Sequence, residues 1–201
     1  MRRIALAGGI GAGKSTAQRY LEQRGFSVID ADDVARAVVA PGQPAYTALR
    51  DAFGDAILAA DGTLDRAFLA EVVFHDPSAL ARLNAITHPR VGEEILARLA
   101  AAERDGESVV FIALPLFRPE HRALFALDSA WSIEVAPEVA LDRLVESRHL
   151  SREDATARLG AQMSNEERRA LVDHVVVNDG TPEELVARLE ELLRIEGLDR
   201  G

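Results

Sequence analysis

Apolar and polar positions change period several times along this chain, and each change marks an element. Arg3 to Ala7 is a short apolar run that ends in glycines, the pattern of a buried strand closed by a turn. Ser15 to Arg24 has helical spacing and stops at Gly25, a helix C-terminal signal. Ser27 to Ile29 reads as a second short buried strand, closed by Asp30-Ala31-Asp32-Asp33. Strand, loop, helix and strand within about 30 residues is the size of two parallel strands joined by a crossover helix.

From Asp33 to Arg104 the texture is helical, with a turn at Pro41-Gly42 and no convincing strand. Ala- and Leu-rich segments run from Pro44 to Phe53, Asp65 to Phe74, Pro77 to Ile86 and Pro89 to Arg104. Strand character resumes at Val109 to Ala113, a continuous apolar run bounded by Gly106 and Pro115 that reads as a strand buried on both faces. Trp131 to Val135 is a fourth strand and His174 to Val177 a fifth, with the helical, Arg-rich stretch Pro137 to Gln162 between them. Thr181-Pro182-Glu183-Glu184 opens a last helix with a capping box and proline at its first position, and Gly197 ends it. The alternation predicts the α/β class: an open parallel five-stranded sheet flanked by helices, with a helical insertion.

Composition removes several chemistries. The 201 residues suit one ordinary domain with insertions, and 48% hydrophobic with 28% charged residues is globular composition. Cysteine is absent, which excludes disulfides, thiolate metal sites and thiol nucleophiles. No apolar run approaches the length of about 18 residues that a membrane span needs, and no secretory segment is visible, so the cytoplasm is the expected compartment. A net charge of −10 opposes general binding to nucleic acid or to an anionic membrane. An anionic small molecule then needs a locally positive site. Of 23 cationic residues only Lys14 is lysine, so its setting is informative.

Lys14 belongs to Gly8-Gly9-Ile10-Gly11-Ala12-Gly13-Lys14-Ser15, which matches G-x-x-x-x-G-K-[ST] between the first strand and the first helix. Glycines let successive backbone N–H groups turn inward onto phosphate oxygens, and the helix N-terminus adds unpaired donors and partial positive charge. Lys14 then reaches the β- and γ-phosphates, and the Ser15 hydroxyl takes Mg²⁺. Gly9, Gly11, Ala12, Gly13, Lys14, Ser15 and Thr16 are the expected contacts for a nucleoside triphosphate. A GTPase guanine reader, N-K-x-D, is impossible with no second lysine. Three features favour a kinase: the carboxylates Asp30, Asp32 and Asp33 at a strand end, a helical insertion that could bind an acceptor, and an Arg-rich segment that could close as a lid.

The ordered combination of further motifs resembles the dephospho-coenzyme A kinase family over nearly the whole chain. The motifs are GGIGAGKST, VIDADDVAR from Val28 to Arg36, PGQPAY at Pro41, FGDAILAADGTLDR at Phe53, LNAITHPRV around His88-Pro89, Pro115-Leu116, Arg158 with Gln162, and VVVNDGTPEEL. The resemblance implies a P-loop kinase that phosphorylates the 3′-hydroxyl of dephospho-CoA with ATP and Mg²⁺. Asp32 would be the catalytic base, although an aspartate there also suits a helix cap. Arg36 and His88 would line the dephospho-CoA site, Arg143 and Arg148 would neutralise phosphates from the lid, and Asn178 and Gly180 would border the adenine. The implied division is a nucleotide-binding core of 1–32, 90–140 and 166–201, a helical acceptor subdomain of 33–89 and a lid of 141–165.

The chain departs from the family pattern at Ala113, where an acidic residue is frequent, at Leu116-Phe117-Arg118-Pro119, and at Val91-Gly92 after the His-Pro pair. These positions bear on the metal's surroundings and on acceptor contacts, and leave Lys14, Ser15 and Asp32 untouched. Another small-molecule P-loop kinase and a catalytically silent nucleotide-binding relative are the alternatives.

Overall fold

The computed structural model describes residues 1–148 and 150–198, without the side chains of Ser147 and Arg148. Five strands, β1 (Arg2–Gly8), β2 (Ser27–Asp30), β3 (Val109–Ala113), β4 (Ser129–Glu134) and β5 (His174–Val177), form one parallel sheet in the order β2-β3-β1-β4-β5. The helices are α1 (Lys14–Gln23), α2 (Ala31–Ala37), α3 (Pro44–Phe53), α4 (Arg66–His75), α5 (Pro77–Arg104), α6 (Glu120–Phe125), α7 (Pro137–Arg148), α8 (Arg152–Gly160), α9 (Asn165–Arg169) and α10 (Pro182–Ile195). The chain divides into two compact units, Met1–Asp30 with Ala102–Gly201, and Ala31–Ala101.

The first unit holds the sheet. Parallel strands are joined by crossovers that cover both faces, so the central strands carry continuous apolar runs. β3 and β4 are buried throughout, and β1 is buried from Ile4 onward. Ile4, Leu6, Phe111, Trp131 and Ile133 pack with Ala17 and Leu21 of α1 and with Leu185, Leu189 and Leu193 of α10. Phe111 meets Phe26 and Trp131 edge-on, with centroids 5.4 and 5.1 Å away, and each such side chain contributes about 1.5–3 kcal/mol by burial. β1 lies between β3 and β4, where the strand order reverses, so the loop after Gly8 leaves the sheet at the crevice that open α/β folds use for ligands. β2 is an edge strand and only Ile29 of it is buried, which corrects the expectation of a buried strand from Ser27 to Ile29.

The second unit is helical. Asp65 caps α4 by accepting from the Phe68 N–H at 2.9 Å, Tyr46 donates to the Gly62 carbonyl at 2.6 Å, and Leu58 and Leu64 form an isolated antiparallel bridge. Val34, Leu49, Ile57 and Leu69 are among its buried side chains. The break expected between Ile86 and Pro89 is absent: α5 runs through Pro89. Proline removes one hydrogen bond from a helix interior, but Ala85 and Pro89 are both exposed, so the orphaned carbonyl can turn to water. Conversely, the stretch from Pro137 to Gln162 is two helices. Ser151 starts α8 by accepting from the Asp154 N–H at 3.0 Å.

Candidate active site

The glycine loop joins β1 to α1. Gly11 and Gly13 have φ of 75° and 91°, left-handed values that favour glycine. Gly13 is the N-cap of α1 and carries no side chain to satisfy the first turn, and that turn has no acidic residue. The helix therefore presents uncapped N–H groups and an unopposed positive dipole end, the two ingredients of an anion site. Lys14, Ser15 and Thr16 occupy this first turn, Ser15 exposed and the other two half-buried. Among the described residues the Lys14 ammonium has no hydrogen-bond or ion-pair partner. Ala12 is buried beneath the loop.

Groups from distant elements hold one end of the loop. Asn178, buried after β5, donates from Nδ2 to the Ala12 carbonyl at 2.8 Å. A Cβ at Gly13 would run into that amide. Arg143 of α7 donates to the carbonyls of Gly11 at 3.3 Å and Gly180 at 2.9 Å. Gly180 itself leaves room for the Glu184 carboxylate, which reaches back to the Thr181 N–H in the capping box of α10. Two sequence-predicted residues, Arg143 and Asn178, thus bond the loop, and Gly180 is tied to it through Arg143. The expectation for Arg148 concerns a side chain outside the described residues.

On the neighbouring residue of the same turn the Ile10 N–H donates to Gln162 Oε1 at 2.9 Å. Beside it lies a cavity of about 520 Å³ walled by Val135, Ala140, Leu141, Leu159 and Met163, with Gly9, Gln162 and Arg168 at its polar side. Burial pushes the Arg168 guanidinium below its ordinary value, against the pull of Glu134 and Glu167. Sequence reasoning had not singled out Arg168. It lies in a helix too short to show a period; the Ser164-x-x-Glu167 capping box that opens α9 was its one legible signal.

The acidic run is divided by the fold. Asp30 ends β2 and accepts from Gln18 of α1. Asp32 and Asp33 stand exposed in the first turn of α2, where Asp33 pairs with Arg36. His88 lies exposed within α5, in a helix and not in a turn. Ala113 is fully buried at the end of β3. Among the described residues no three His, Asp or Glu side chains are grouped to hold a metal, and no helix is long and apolar enough to cross a membrane.

A site of this form fits phosphoryl transfer from a nucleotide, and the similarities of the chain agree. The family model for dephospho-CoA kinase matches residues 2–184. The dephospho-CoA kinase of Thermobifida fusca is 44% identical over 192 residues, covering 96% of this chain and 94% of that one. The dephospho-CoA kinase of Geobacter sulfurreducens is 44% identical over 193 residues, 96% and 97% of the two chains. Among solved structures, TT1252 from Thermus thermophilus superposes with a TM-score of 0.82 at 31% identity over 97% of both chains. The dephospho-CoA kinase from Campylobacter jejuni gives 0.68 at 25% identity over 100% of this chain and 98% of that one. With this coverage and identity, and with the glycine loop formed as its sequence requires, the chain belongs to the dephospho-CoA kinase family.

Proposed function

We propose that this chain carries out its family's reaction with ATP in the glycine loop, Asp32 as the base and the Arg-rich segment as a lid. The reaction is the ATP-dependent phosphorylation of dephospho-CoA in coenzyme A biosynthesis, with the 3′-hydroxyl as acceptor. The observation that carries it is the uncapped N-terminus of α1, entered through two left-handed glycines and followed by the only lysine of the chain.

Phosphoryl transfer passes through a loose transition state, so the protein mainly positions groups and neutralises oxygens. The loop N–H groups cradle the α- and β-phosphates and Lys14 meets the β- and γ-oxygens. Asp32 accepts the proton of the acceptor hydroxyl. That proton leaves late, so placement of the carboxylate matters more than its basicity. Arg36 and His88 contact the acceptor, Arg143 and Arg148 neutralise phosphates, and Asn178 with Gly180 border the adenine. The core is 1–32, 90–140 and 166–201, the acceptor subdomain 33–89 and the lid 141–165.

P-loop kinases use Mg²⁺ with ATP. The residues present fit an ion that arrives with the nucleotide: one exposed hydroxyl, Ser15, and no protein cage among the described residues. Ser15 would hold the ion, which when bound would supply positive charge to the nucleotide's phosphate oxygens. With Ala113 buried at the end of β3, no carboxylate at that position supports the ion, and weaker Mg²⁺ affinity is expected. Ala113 also favours the second reading, a silent nucleotide-binding relative.

The deciding assay incubates the purified chain with Mg-ATP and dephospho-CoA and follows CoA by mass spectrometry. CoA formed in step with ADP is the expected result. Phosphorylation of a different alcohol with none of dephospho-CoA defeats the acceptor assignment. ATP binding without ADP from any acceptor favours the silent reading.

A further inference from the structure

We propose that Arg168 is a ligand of the terminal phosphate, reaching it from beneath the entry to the glycine loop. The inference uses the proposed function for its nucleotide and owes nothing to the acceptor.

Arg168 is only 8% exposed, yet it lines the cavity that opens beside Gly9 and Ile10. Its Nη1 donates to Asn165 Oδ1 at 2.9 Å and its Nη2 to the Met163 carbonyl at 2.8 Å. A guanidinium has five N–H donors, so three remain without a partner among the described residues. No carboxylate of the described residues lies within ion-pair distance. The acids that act on it do so from further off: Glu134 pairs with Arg169 through Oε2 at 2.8 Å and keeps a buried, unbonded Oε1, and Glu167 bonds Ser164. A buried cation without a contacting counter-charge is unfavourable unless an anion completes it.

The loop supplies the direction. The Ala12 N–H donates to the Gly9 carbonyl at 3.2 Å, so Gly9 to Ala12 is one tight turn; Arg143 and Asn178 bond its Gly11 and Ala12 carbonyls, and the adenine lies beside Asn178 in the proposed function. A nucleotide laid along the loop from that side carries its terminal phosphate toward Gly9 and Ile10. There a Cβ on Gly9 would lie 3.4 Å from Arg168 Nη2 and 3.3 Å from Gln162 Oε1, so glycine leaves the guanidinium room beside the loop. Gln162 occupies the Ile10 N–H through its Oε1, and Arg168 is the cationic donor beside it. A fork of N–H groups matches phosphate oxygens well, and a charge already in position costs no rearrangement when the γ-phosphoryl group loosens.

The test measures calorimetric affinities of the full chain for Mg-ADP and for Mg-adenylyl-imidodiphosphate, in the parent, Arg168→Met and Arg168→Lys. The parent should prefer the triphosphate analogue. Arg168→Met should lose about tenfold of that preference, with ADP affinity within about twofold of the parent and with Arg168→Lys restoring most of the loss. Arg168→Gln, which keeps a donor for Met163, replaces the Met variant if that one melts early. An unchanged preference, a parent without preference, or ADP affinity falling in step with the analogue overturns the proposal. The last result would make Arg168 a brace for the loop. Neither ligand needs an acceptor, so failure to turn over dephospho-CoA would be a separate finding.

Discussion

At Gly13 the space for a side chain is already taken by the Asn178 amide, and the backbone is left-handed. Residues of this kind fix the shape of the loop, and Lys14 fixes its charge. Lys14→Ala should lower kcat by several orders of magnitude, about 10³-fold or more, because it removes the cation proposed to meet the β- and γ-oxygens; steady-state kinetics at saturating acceptor reads this directly. The neighbouring carboxylates separate by experiment. Asp32→Asn should depress transfer about 10²-fold or more while nucleotide affinity holds, whereas Asp33→Asn loses only the exposed pair with Arg36 and should leave kcat near the parent value. Reversal of that order would assign the base to Asp33. The glycine loop, Lys14 and the acidic run were legible as residues because each is a local pattern. Arg168 was not legible, since its burial depends on β4, α8 and the loop coming together.

Helices in this chain obey their end signals and violate an interior one. Ser151, Ser164 and Thr181 each cap a helix by accepting an N–H, as their sequence contexts imply. Pro89 should have ended a helix, yet α5 passes through it. Pro89→Ala restores the missing N–H and relieves the ring clash, so it should raise stability by about 1–3 kcal/mol in urea titrations. A stable variant with a raised KM for the acceptor would assign the proline to substrate shape. Between α9 and β5, Asp173 accepts from the Ala130 N–H and from Arg122, both at 2.8 Å. Burial raises its carboxyl, but the bonds to Arg122 and Ala130 outweigh this and hold it below the usual aspartate range. A depressed folded value stabilises above the unfolded pKa and fades as pH falls through the folded one. Asp173→Asn should therefore destabilise by about 1 kcal/mol at neutral pH, discounted for partial exposure. The difference should shrink toward zero as pH falls through the folded value, below the usual aspartate range; a gap that persists there would refute the electrostatic account.

Over the whole molecule, a net charge of −10 works against any polyanion, so nucleotide affinity depends on the few positive groups of the loop. Binding to the folded chain alone stabilises it by mass action, about 2.7 kcal/mol at a ligand concentration of one hundred times Kd. Mg-ATP should accordingly raise the melting temperature by several degrees, and Lys14→Ala should abolish most of that rise at equal ligand; an undiminished rise would mean that the nucleotide binds elsewhere. The sequence by itself determined the α/β alternation, the five strands, the loop motif and the Thr181 cap, because periodicity, glycine punctuation and capping act within a few residues. Only the tertiary structure decided the order β2-β3-β1-β4-β5, the convergence of Arg143, Asn178 and Gln162 on the loop, and the burial of Arg168. Those facts join residues far apart in the chain, as far as Ala12 and Asn178, and such contacts are set by how the sheet assembles, which no local window of sequence contains.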